Sequence, residues 1–188
     1  MKRSLLLTLA LCLAAVASAR PDTVYVAHGA AHTPRIERAD GHAVESRPMR
    51  GDTLTADGVC FVRLPRLQLV LCIGQSNMAG RGLMDAEAAD TLREVYLFNG
   101  EGFERAAEPM NRYSTVRKEL GMQRVGPSGS FAAHYAAATG APVGIVVNAR
   151  GGSSIDEWLP GSETDYLAKA VERIRAAGDW GDVVAVLW

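Results

Sequence analysis

An almost uninterrupted apolar run over residues 67–73 constrains the fold of this chain more than any other segment. Its one polar member is Gln68, and Gly74 follows directly. Strands that are apolar on both faces are typical of parallel sheets, because helices cover both sides of such a sheet. We therefore predict a strand over residues 67–73 that is covered on both faces and, with it, an α/β fold.

Strand patterns and helix patterns alternate after this run. Apolar segments predict strands at 94–98, 142–147 and 182–188, the last of them buried, and helical periodicity predicts helices at 127–139 and 163–177. This alternation favours an α/β fold with a parallel sheet flanked by helices. Ligands of such sheets bind beyond the carboxyl ends of the strands, so we expect the functional site there.

Local signals indicate where these elements begin and end. Pro127 suits the first turn of the earlier helix and Gly140 its end, and Ser162 is expected to cap the later helix. Residues 101–125 are polar, which predicts a long surface loop. The loop after a parallel strand usually carries site residues, so we expect the sheet to be incomplete at the C-terminus, after Trp188.

Residues 1–19 have the pattern of a secretory signal peptide. Lys2 and Arg3 form a short positive region, residues 5–16 are apolar with one exception, and a small-residue cleavage site ends at Ala19. The apolar run is shorter than the roughly 20 residues that span a bilayer. We therefore expect cleavage after Ala19, a secreted or periplasmic protein, and no membrane anchor after cleavage.

Residues 20–66 are weakly patterned, and we interpret them as a leader or small β-appendage rather than a separate domain. Residues 53–55 and 59–62 flank an Asp-Gly turn, which predicts a β-hairpin. Cleavage would leave Cys60 and Cys72, which could pair in an oxidising compartment. Since Cys72 lies in the apolar run, we favour a small buried thiol at that position.

The charge balance excludes some classes of partner. The chain has 20 basic and 21 acidic residues, for a net charge of -1, and no long run of one sign. Nothing in this composition favours nucleic acid or an anionic membrane surface as a partner. The two cysteines do not have the spacing of a zinc site, and no other pattern predicts a metal.

The segment that follows the first strand carries the chemistry, and its sequence is Gly74-Gln75-Ser76-Asn77-Met78-Ala79-Gly80. A serine at a tight turn between strand and helix is accessible to a base, and nearby backbone N–H groups can hold an oxyanion. Met78 stands where the Gly-x-Ser-x-Gly elbow requires glycine. The spacing alone is equally compatible with a plain connecting loop.

This segment resembles the first block of the sialate O-acetylesterase and carbohydrate esterase family 6 group, within the SGNH hydrolase superfamily. Similar blocks follow in the same order: Gly126-Pro127, then Phe131-Ala132, then Gly151-Gly152-Ser153-Ser154-Ile155 with Trp158 three residues on. Ser153 replaces the threonine that is commoner in the family. The resemblance extends over about residues 67–188. It implies an SGNH-type esterase domain there, with a three-layer, flavodoxin-like parallel sheet flanked by helices.

The resemblance implies a Ser-His-Asp esterase that removes O-acetyl groups from sugars without a cofactor. Ser76 would attack the acetyl carbonyl, and the N–H groups of Ser76 and of Gly151 or Gly152 would hold the oxyanion. In this family an amide donor follows a strand ending in tryptophan, here Trp188, and the catalytic Asp and His lie close together near the C-terminus. We therefore expect the domain at 67–188 to be truncated and the chain to be a fragment.

The histidines of this chain are poor matches to the expected base. Three of them, His28, His32 and His42, lie in the leader, and His134 falls among alanines on a predicted helix. A serine hydroxyl without a base is a weak nucleophile. We therefore expect the chain as given to be inactive or nearly so.

Some residues beside the two motifs have a functional and a structural interpretation. Arg81 and Arg150 could each bind a sugar carboxylate, although surface arginines are more often structural. Trp158 could stack on a sugar ring or anchor the glycine loop by packing. Asn148 is a candidate brace for that loop.

Three hypotheses about function stay open. The first is an exported carbohydrate O-acetylesterase acting on acetylated sialic acids or plant polysaccharide. The second is a non-catalytic glycan-binding remnant with the same pocket. The third is an ester hydrolase of the same superfamily that acts on lipid or aryl esters.

Overall fold

The computed structural model describes residues 64–86, 88 and 90–188 in full, and the backbone of residues 23–28, 53–56 and 59–63. The strands in these ranges are β1 (Thr23–His28), β2 (Thr53–Ala56), β3 (Val59–Pro65), β4 (Leu67–Gly74), β5 (Val95–Phe98), β6 (Phe103–Arg105), β7 (Val143–Ala149) and β8 (Gly181–Leu187). The α-helices are α1 (Ser76–Ala79), α2 (Pro127–Thr139) and α3 (Tyr166–Ala176). Short 3-10 helices lie at Met110–Tyr113, Leu120–Met122, Asp156–Trp158 and Ala177–Asp179.

The strands form one sheet in the order β2-β3-β1-β6-β5-β7-β4-β8. Strand β4 runs parallel to β7 and β8, and β5 runs parallel to β7. This arrangement confirms the predicted α/β fold, and β4, second from one edge of the sheet, is the predicted buried strand. The sheet is mixed rather than purely parallel, because β6 pairs with β5 in the antiparallel direction.

The prediction of a surface loop over residues 101–125 is wrong. The side chain of Asn99 accepts the N–H groups of Glu101 and Gly102, and this turn reverses the chain into β6. Phe103 is then buried, with its ring centroid 5.3 Å from that of Phe98. Long-range packing of this kind is absent from the local polarity on which the prediction was based.

Two apolar clusters fill the spaces on either side of the sheet. Leu69 and Leu71 belong to the cluster that includes residues of α3, whereas Val70 and Cys72 belong to the cluster that includes residues of α2. Alternate residues of one strand point to opposite faces, so β4 has to be apolar throughout. Truncating a fully buried leucine such as Leu69 to alanine typically costs about 2–5 kcal/mol.

Cys72 is a free, buried thiol, as the apolar pattern predicted. Burial raises the pKa of Cys72 to about 12. Cys60 lies on β3, five strands away in the sheet order. Because the Cys72 thiol is free, it is not paired with Cys60.

Helix α2 has the predicted bounds, and α3 does not. Gly140 ends α2 in the left-handed conformation, with φ of 68°. Helix α3 begins at Tyr166 instead of residue 163. The predicted cap, Ser162, donates its hydroxyl to the carbonyl of Glu157 at 2.8 Å and therefore closes a loop instead.

Strand β8 was predicted to be buried, and this is wrong. Val183 is 54% exposed and Val186 is 58% exposed. Within the described part of the chain, β8 pairs with β4 alone and forms one edge of the sheet. Ala185 and Leu187 still pack against the α2 side, so half of the strand contributes to the core.

The N-terminal strands continue the same sheet. β2 and β3 form the predicted hairpin, in which Ala56 pairs with Val59. β1 pairs with β3 and meets β6 at Ala27 and Glu104. The turn residues Asp57 and Gly58 and the predicted signal peptide at 1–19 lie outside the described residues. Over the residues that were searched, no helix has both the length and the apolarity that crossing a membrane requires.

Candidate active site

Two loops meet at the carboxyl ends of β4 and β7. Gly74 pairs with Ala149 at the last step of the ladder, and the Arg150 N–H donates to the Gly74 carbonyl at 2.9 Å. The serine motif leaves β4 and the glycine motif leaves β7. Because the two strands are parallel neighbours, their sequence-distant motifs are brought together at one edge of the sheet.

Ser76 is the first residue of the short helix α1 and is half-buried. Gly74, with φ of 136°, gives the sharp turn out of β4. The Ser76 hydroxyl donates to Oε1 of Gln75 at 2.5 Å, and the Ser76 N–H donates to the same oxygen at 2.9 Å. Both polar groups of the predicted nucleophile are therefore bound to one neutral amide.

Close backbone packing fixes the far end of the serine turn. Gly80 has φ of 87°, and a methyl group added there would lie 1.9 Å from the Arg124 carbonyl oxygen. An added methyl at Gly126 would lie 3.1 Å from the Met78 carbonyl oxygen. The Gly126-Pro127 block thus packs directly on the serine turn, which explains why both segments need glycine.

Gly151 lies against the serine. An added methyl there would be 3.9 Å from the Ser76 Cα and 2.3 Å from Nη2 of Arg81. Gly151 is buried, yet among the described residues neither its N–H nor that of Gly152 donates a hydrogen bond. A buried N–H without a partner is uncommon in a folded protein and is available to a ligand.

A buried amide network supports the end of β7 from below. Asn111 donates to the Ala149 carbonyl at 3.0 Å and accepts the Ala149 N–H at 2.9 Å. It also donates to the side chain of Gln123 at 2.7 Å. Sequence reasoning missed Asn111 and Gln123, because both lie in the segment that was interpreted as a loop. Asn148 accepts the Thr115 N–H at 2.8 Å, so it ties this segment to β7.

Trp158 anchors the glycine loop by packing, which is one of the two roles considered for it beside stacking on a sugar ring. Its side chain is 4% exposed, its Nε1 donates to the Ser153 hydroxyl at 2.9 Å, and that hydroxyl donates to the Arg150 carbonyl at 2.8 Å. The ring of Trp158 also meets that of Trp188 edge-on at 5.4 Å. The serine at position 153 thus ties the indole to the glycine loop.

The two predicted arginines differ in availability. Arg150 donates to the Val116 carbonyl at 3.1 Å and lies 5.9 Å from the ring centroid of Tyr166, which is a structural role. Arg81 is exposed, and its bonds run from Nη1 to the carbonyls of Gly80 and Met122. Within the described residues, the Nη2 group of Arg81 makes no hydrogen bond and lies against Gly151, beside Ser76.

A third cation, Lys118, was missed by sequence reasoning. A methyl group added at Gly152 would lie 3.2 Å from the Lys118 Nζ. In the same loop, the Glu157 carboxylate accepts the N–H of Ser154 at 2.7 Å. Among the residues searched, no group of three or more His, Cys, Asp and Glu side chains could hold a metal ion.

His134, the histidine whose side chain the structure describes, makes no hydrogen bond to Ser76. His134 is exposed on α2, with Nδ1 2.8 Å from the Ser130 carbonyl oxygen. At 1.5 Å per residue, it lies about 10 Å along the helix from Pro127. His32 and His42 lie outside the described residues, and only the backbone of His28 is described.

The fold and site define an α/β protein that presents a serine turn and a glycine loop at the carboxyl ends of two neighbouring parallel strands. The chain belongs to the carbohydrate esterase family of sialic acid-specific acetylesterases, whose model matches residues 66–188. This result confirms the family resemblance seen in the sequence blocks.

A relative from Arabidopsis thaliana, described as a probable carbohydrate esterase, is 31% identical over 144 residues. The match covers 66% of this chain and 54% of the relative, so the chain spans about half the length of that protein. A solved Arabidopsis thaliana structure superimposes with a TM-score of 0.56 at 27% identity, covering 66% of this chain and 57% of the other. Membership of the family and the α/β fold are therefore established on both sequence and structure.

Proposed function

We propose that this protein is an exported serine esterase that removes O-acetyl groups from carbohydrates, with Ser76 as the nucleophile. The observation that carries the proposal is the position of Ser76. It begins α1 directly after β4 and lies against Gly151 of the neighbouring loop. Membership of a carbohydrate esterase family supports the reaction class.

The chemistry proposed for the site is acyl transfer through Ser76. The Ser76 oxygen attacks the acetyl carbonyl, the sugar hydroxyl leaves, and water then hydrolyses the acetyl-serine. The N–H groups of Ser76 and of Gly151 or Gly152 are the proposed oxyanion donors. The unpaired N–H groups of the glycine loop fit this role, because an oxyanion hole needs donors that are already in place.

We further propose that the catalytic base and its acid partner are supplied by sequence outside these 188 residues. Two observations support this: His134 is bonded to Ser130 on α2, and the chain spans 54% of the Arabidopsis relative. Without a base the hydroxyl proton has no acceptor other than a neutral amide, and loss of a triad member lowers the rate by orders of magnitude. The basic N-terminus, apolar run and small-residue cleavage site support export of the protein.

The test is hydrolysis of p-nitrophenyl acetate by two purified proteins, each with a Ser76→Ala partner. One protein is residues 20–188, and the other extends to the next stop codon of the source gene. We expect Ser76-dependent turnover in the longer protein alone. Activity of residues 20–188 would show that the base lies within this chain, and equal activity of wild type and Ser76→Ala would exclude Ser76 as the nucleophile.

A second candidate function is favoured by the state of Ser76 itself. Its hydroxyl and N–H both bind Gln75, and no described histidine contacts it. This arrangement suits a non-catalytic glycan-binding protein that keeps the pocket without the chemistry. Folded protein that binds a sugar but hydrolyses no acetyl, butyryl or longer ester would support it, whereas preference for long acyl chains would favour lipid esters.

A further inference from the structure

Two surface segments run side by side next to the serine turn. Residues 81–85 directly follow the serine motif and lie beside residues 117–125. The Gly82 N–H donates to the Val125 carbonyl at 2.9 Å, and these two residues form an antiparallel bridge. A 3-10 helix at Leu120–Met122 keeps the second segment compact, so the side chains of both segments contribute to one surface.

This surface has the reverse of the usual distribution of polarity. Leu83 is 82% exposed, Leu120 is 53% exposed, and Met84 and Met122 are each 41% exposed. Gln123, by contrast, is buried and bonds inward to the amide network below β7. We call the four exposed side chains the apolar rim. A group of exposed apolar side chains on a fixed backbone marks an interaction surface, because water is their least favourable environment.

Positively charged side chains border the apolar rim. The two segments contain twice as many basic as acidic side chains: Arg81, Arg117, Lys118 and Arg124 against Asp85 and Glu119. Within the described part of the chain, none of these groups belongs to an ion pair. The whole chain has a net charge of -1, so this positive surface is a local feature that the composition does not reveal.

We propose that the apolar rim and its bordering cations bind the protein to the surface of an anionic lipid bilayer. Apolar side chains of interfacial segments enter the boundary between headgroups and acyl chains, while lysine and arginine beside them attract anionic lipids. Leucine is under-represented among the residues that dominate protein–protein interfaces, so a lipid surface fits the rim better than a protein partner. The inference goes beyond the proposed function and does not depend on catalysis by Ser76.

The test is co-sedimentation with lipid vesicles. It uses the mature form expected after cleavage, residues 20–188, because the apolar run before residue 20 would itself enter a bilayer, and circular dichroism checks that the protein is folded. Vesicles of phosphatidylcholine alone are compared with vesicles that contain about 30% phosphatidylglycerol. We expect binding to the anionic vesicles to be about tenfold stronger or more, since each cation near a negative surface typically contributes about fivefold. The difference should shrink when NaCl rises from about 20 mM to about 200 mM.

One set of variants assigns the binding to the apolar rim. Leu120→Ser combined with Met122→Ser should weaken binding to the anionic vesicles about tenfold or more, because both side chains lose their apolar contact with lipid. Leu159→Ser is the matched control and should leave binding unchanged. Leu159 is also 53% exposed, but it lines a cleft with Leu167 and Val171 of α3.

A second set assigns the preference for anionic lipid to the bordering cations. Arg124→Glu should reduce the preference about tenfold or more, because it replaces attraction to the headgroups with repulsion. Lys169→Glu makes the same change of charge at an exposed position on α3 and should have little effect. Ser76→Ala should bind vesicles as the wild type does, since the inference places no part of the binding on the nucleophile.

Three results would overturn the inference: no preference of folded protein for anionic vesicles, equal binding by wild type and the double serine variant, or a dimer that the double variant separates. The dimer is measured by analytical ultracentrifugation and would assign the apolar rim to a second copy of the chain. Failure of the proposed function is distinguishable from these results. If the inference alone fails, Ser76-dependent hydrolysis of soluble p-nitrophenyl acetate persists in the protein that shows it. If the function alone fails, the vesicles still bind and Ser76→Ala changes no rate.

Discussion

The amide oxygen of Gln75 accepts two hydrogen bonds from Ser76, one from the hydroxyl at 2.5 Å and one from the N–H at 2.9 Å. An acyl oxygen under attack by Ser76 would need the same N–H. The Gln75 side chain is exposed and can therefore move away when a substrate arrives. Under the proposed function, Gln75 therefore holds the serine in place in the free protein and also competes with the substrate for an oxyanion donor.

This competition predicts opposite effects for two substitutions at position 75. Gln75→Glu should lower kcat/KM for p-nitrophenyl acetate by about tenfold or more, because a carboxylate binds the Ser76 N–H more strongly and repels an oxyanion. Gln75→Ala should change kcat/KM far less. It removes the amide oxygen that competes with the substrate for the Ser76 N–H, but it also removes the hydrogen bond that holds the Ser76 hydroxyl in place. The kcat/KM of both variants is measured in residues 20–188 or in the longer protein, depending on which of the two hydrolyses p-nitrophenyl acetate. Equal rates for Gln75→Glu and wild type would show that Gln75 does not compete.

Substitution of alanine at Gly151 and at Gly80 should lower the stability of the fold to different extents. A methyl group at Gly151 meets the end of the flexible Arg81 side chain, so Gly151→Ala should displace the guanidinium and leave the fold nearly as stable. A methyl group at Gly80 meets the Arg124 backbone at 1.9 Å with φ of 87°, so Gly80→Ala should cost about 1–3 kcal/mol. Urea denaturation measures both. A larger loss for Gly151→Ala than for Gly80→Ala would contradict this assignment.

Asn111 predicts a large effect on stability from one buried amide. Asn111→Ala removes the bonds to both backbone groups of Ala149 and to Gln123, and should cost about 3 kcal/mol, because each unpaired buried group costs about 1–3 kcal/mol. Asn99→Ala is the control: it also loses two backbone partners, but it is only half-buried and water can replace them. Similar losses for the two variants would argue against a special role for Asn111.

The elements that the sequence predicted well are those with local signals. The apolar run of β4 and the Pro127 and Gly140 at the ends of α2 depend on neighbours in sequence, and each was located within two residues. Ser76 and Gly151 were found because their motifs are contiguous. Asn111 and Lys118 have no such signal. Asn111 bonds to Ala149, 38 positions away, and Lys118 lies near Gly152, which is also distant in sequence.

Edge and interior strands illustrate the same limit. β8 has the Val-rich composition of an interior strand, yet Val183 and Val186 are exposed. Burial of a strand depends on which elements pack against it. An apolar composition shows only that the strand is compatible with burial. The polar segment before α2 shows the converse, since Glu104 is fully buried and is held there by Arg112 at 2.7 Å.

Glu108 predicts how stability depends on pH. Its Oε2 accepts the Met110 N–H at 2.8 Å, and its Oε1 accepts the Gly126 N–H at 3.5 Å. Burial raises the pKa of the Glu108 carboxyl above 4.5, against the opposing effects of these two N–H groups and of Arg112. A raised pKa means that the folded protein favours the protonated form.

The sign of the effect follows from that preference. The stability that protonated Glu108 contributes is fully present below the unfolded pKa and is lost as pH rises through the higher folded pKa. Glu108→Gln keeps a neutral amide that still accepts the Met110 N–H, so it should gain stability relative to wild type as pH rises. The gap should grow by at most about 1.4 kcal/mol per pH unit between the two pKa values and then stay constant. Urea denaturation of both proteins at several values between pH 4 and pH 8 measures this gap, and a gap that narrows with rising pH would mean that the N–H groups and Arg112 outweigh burial.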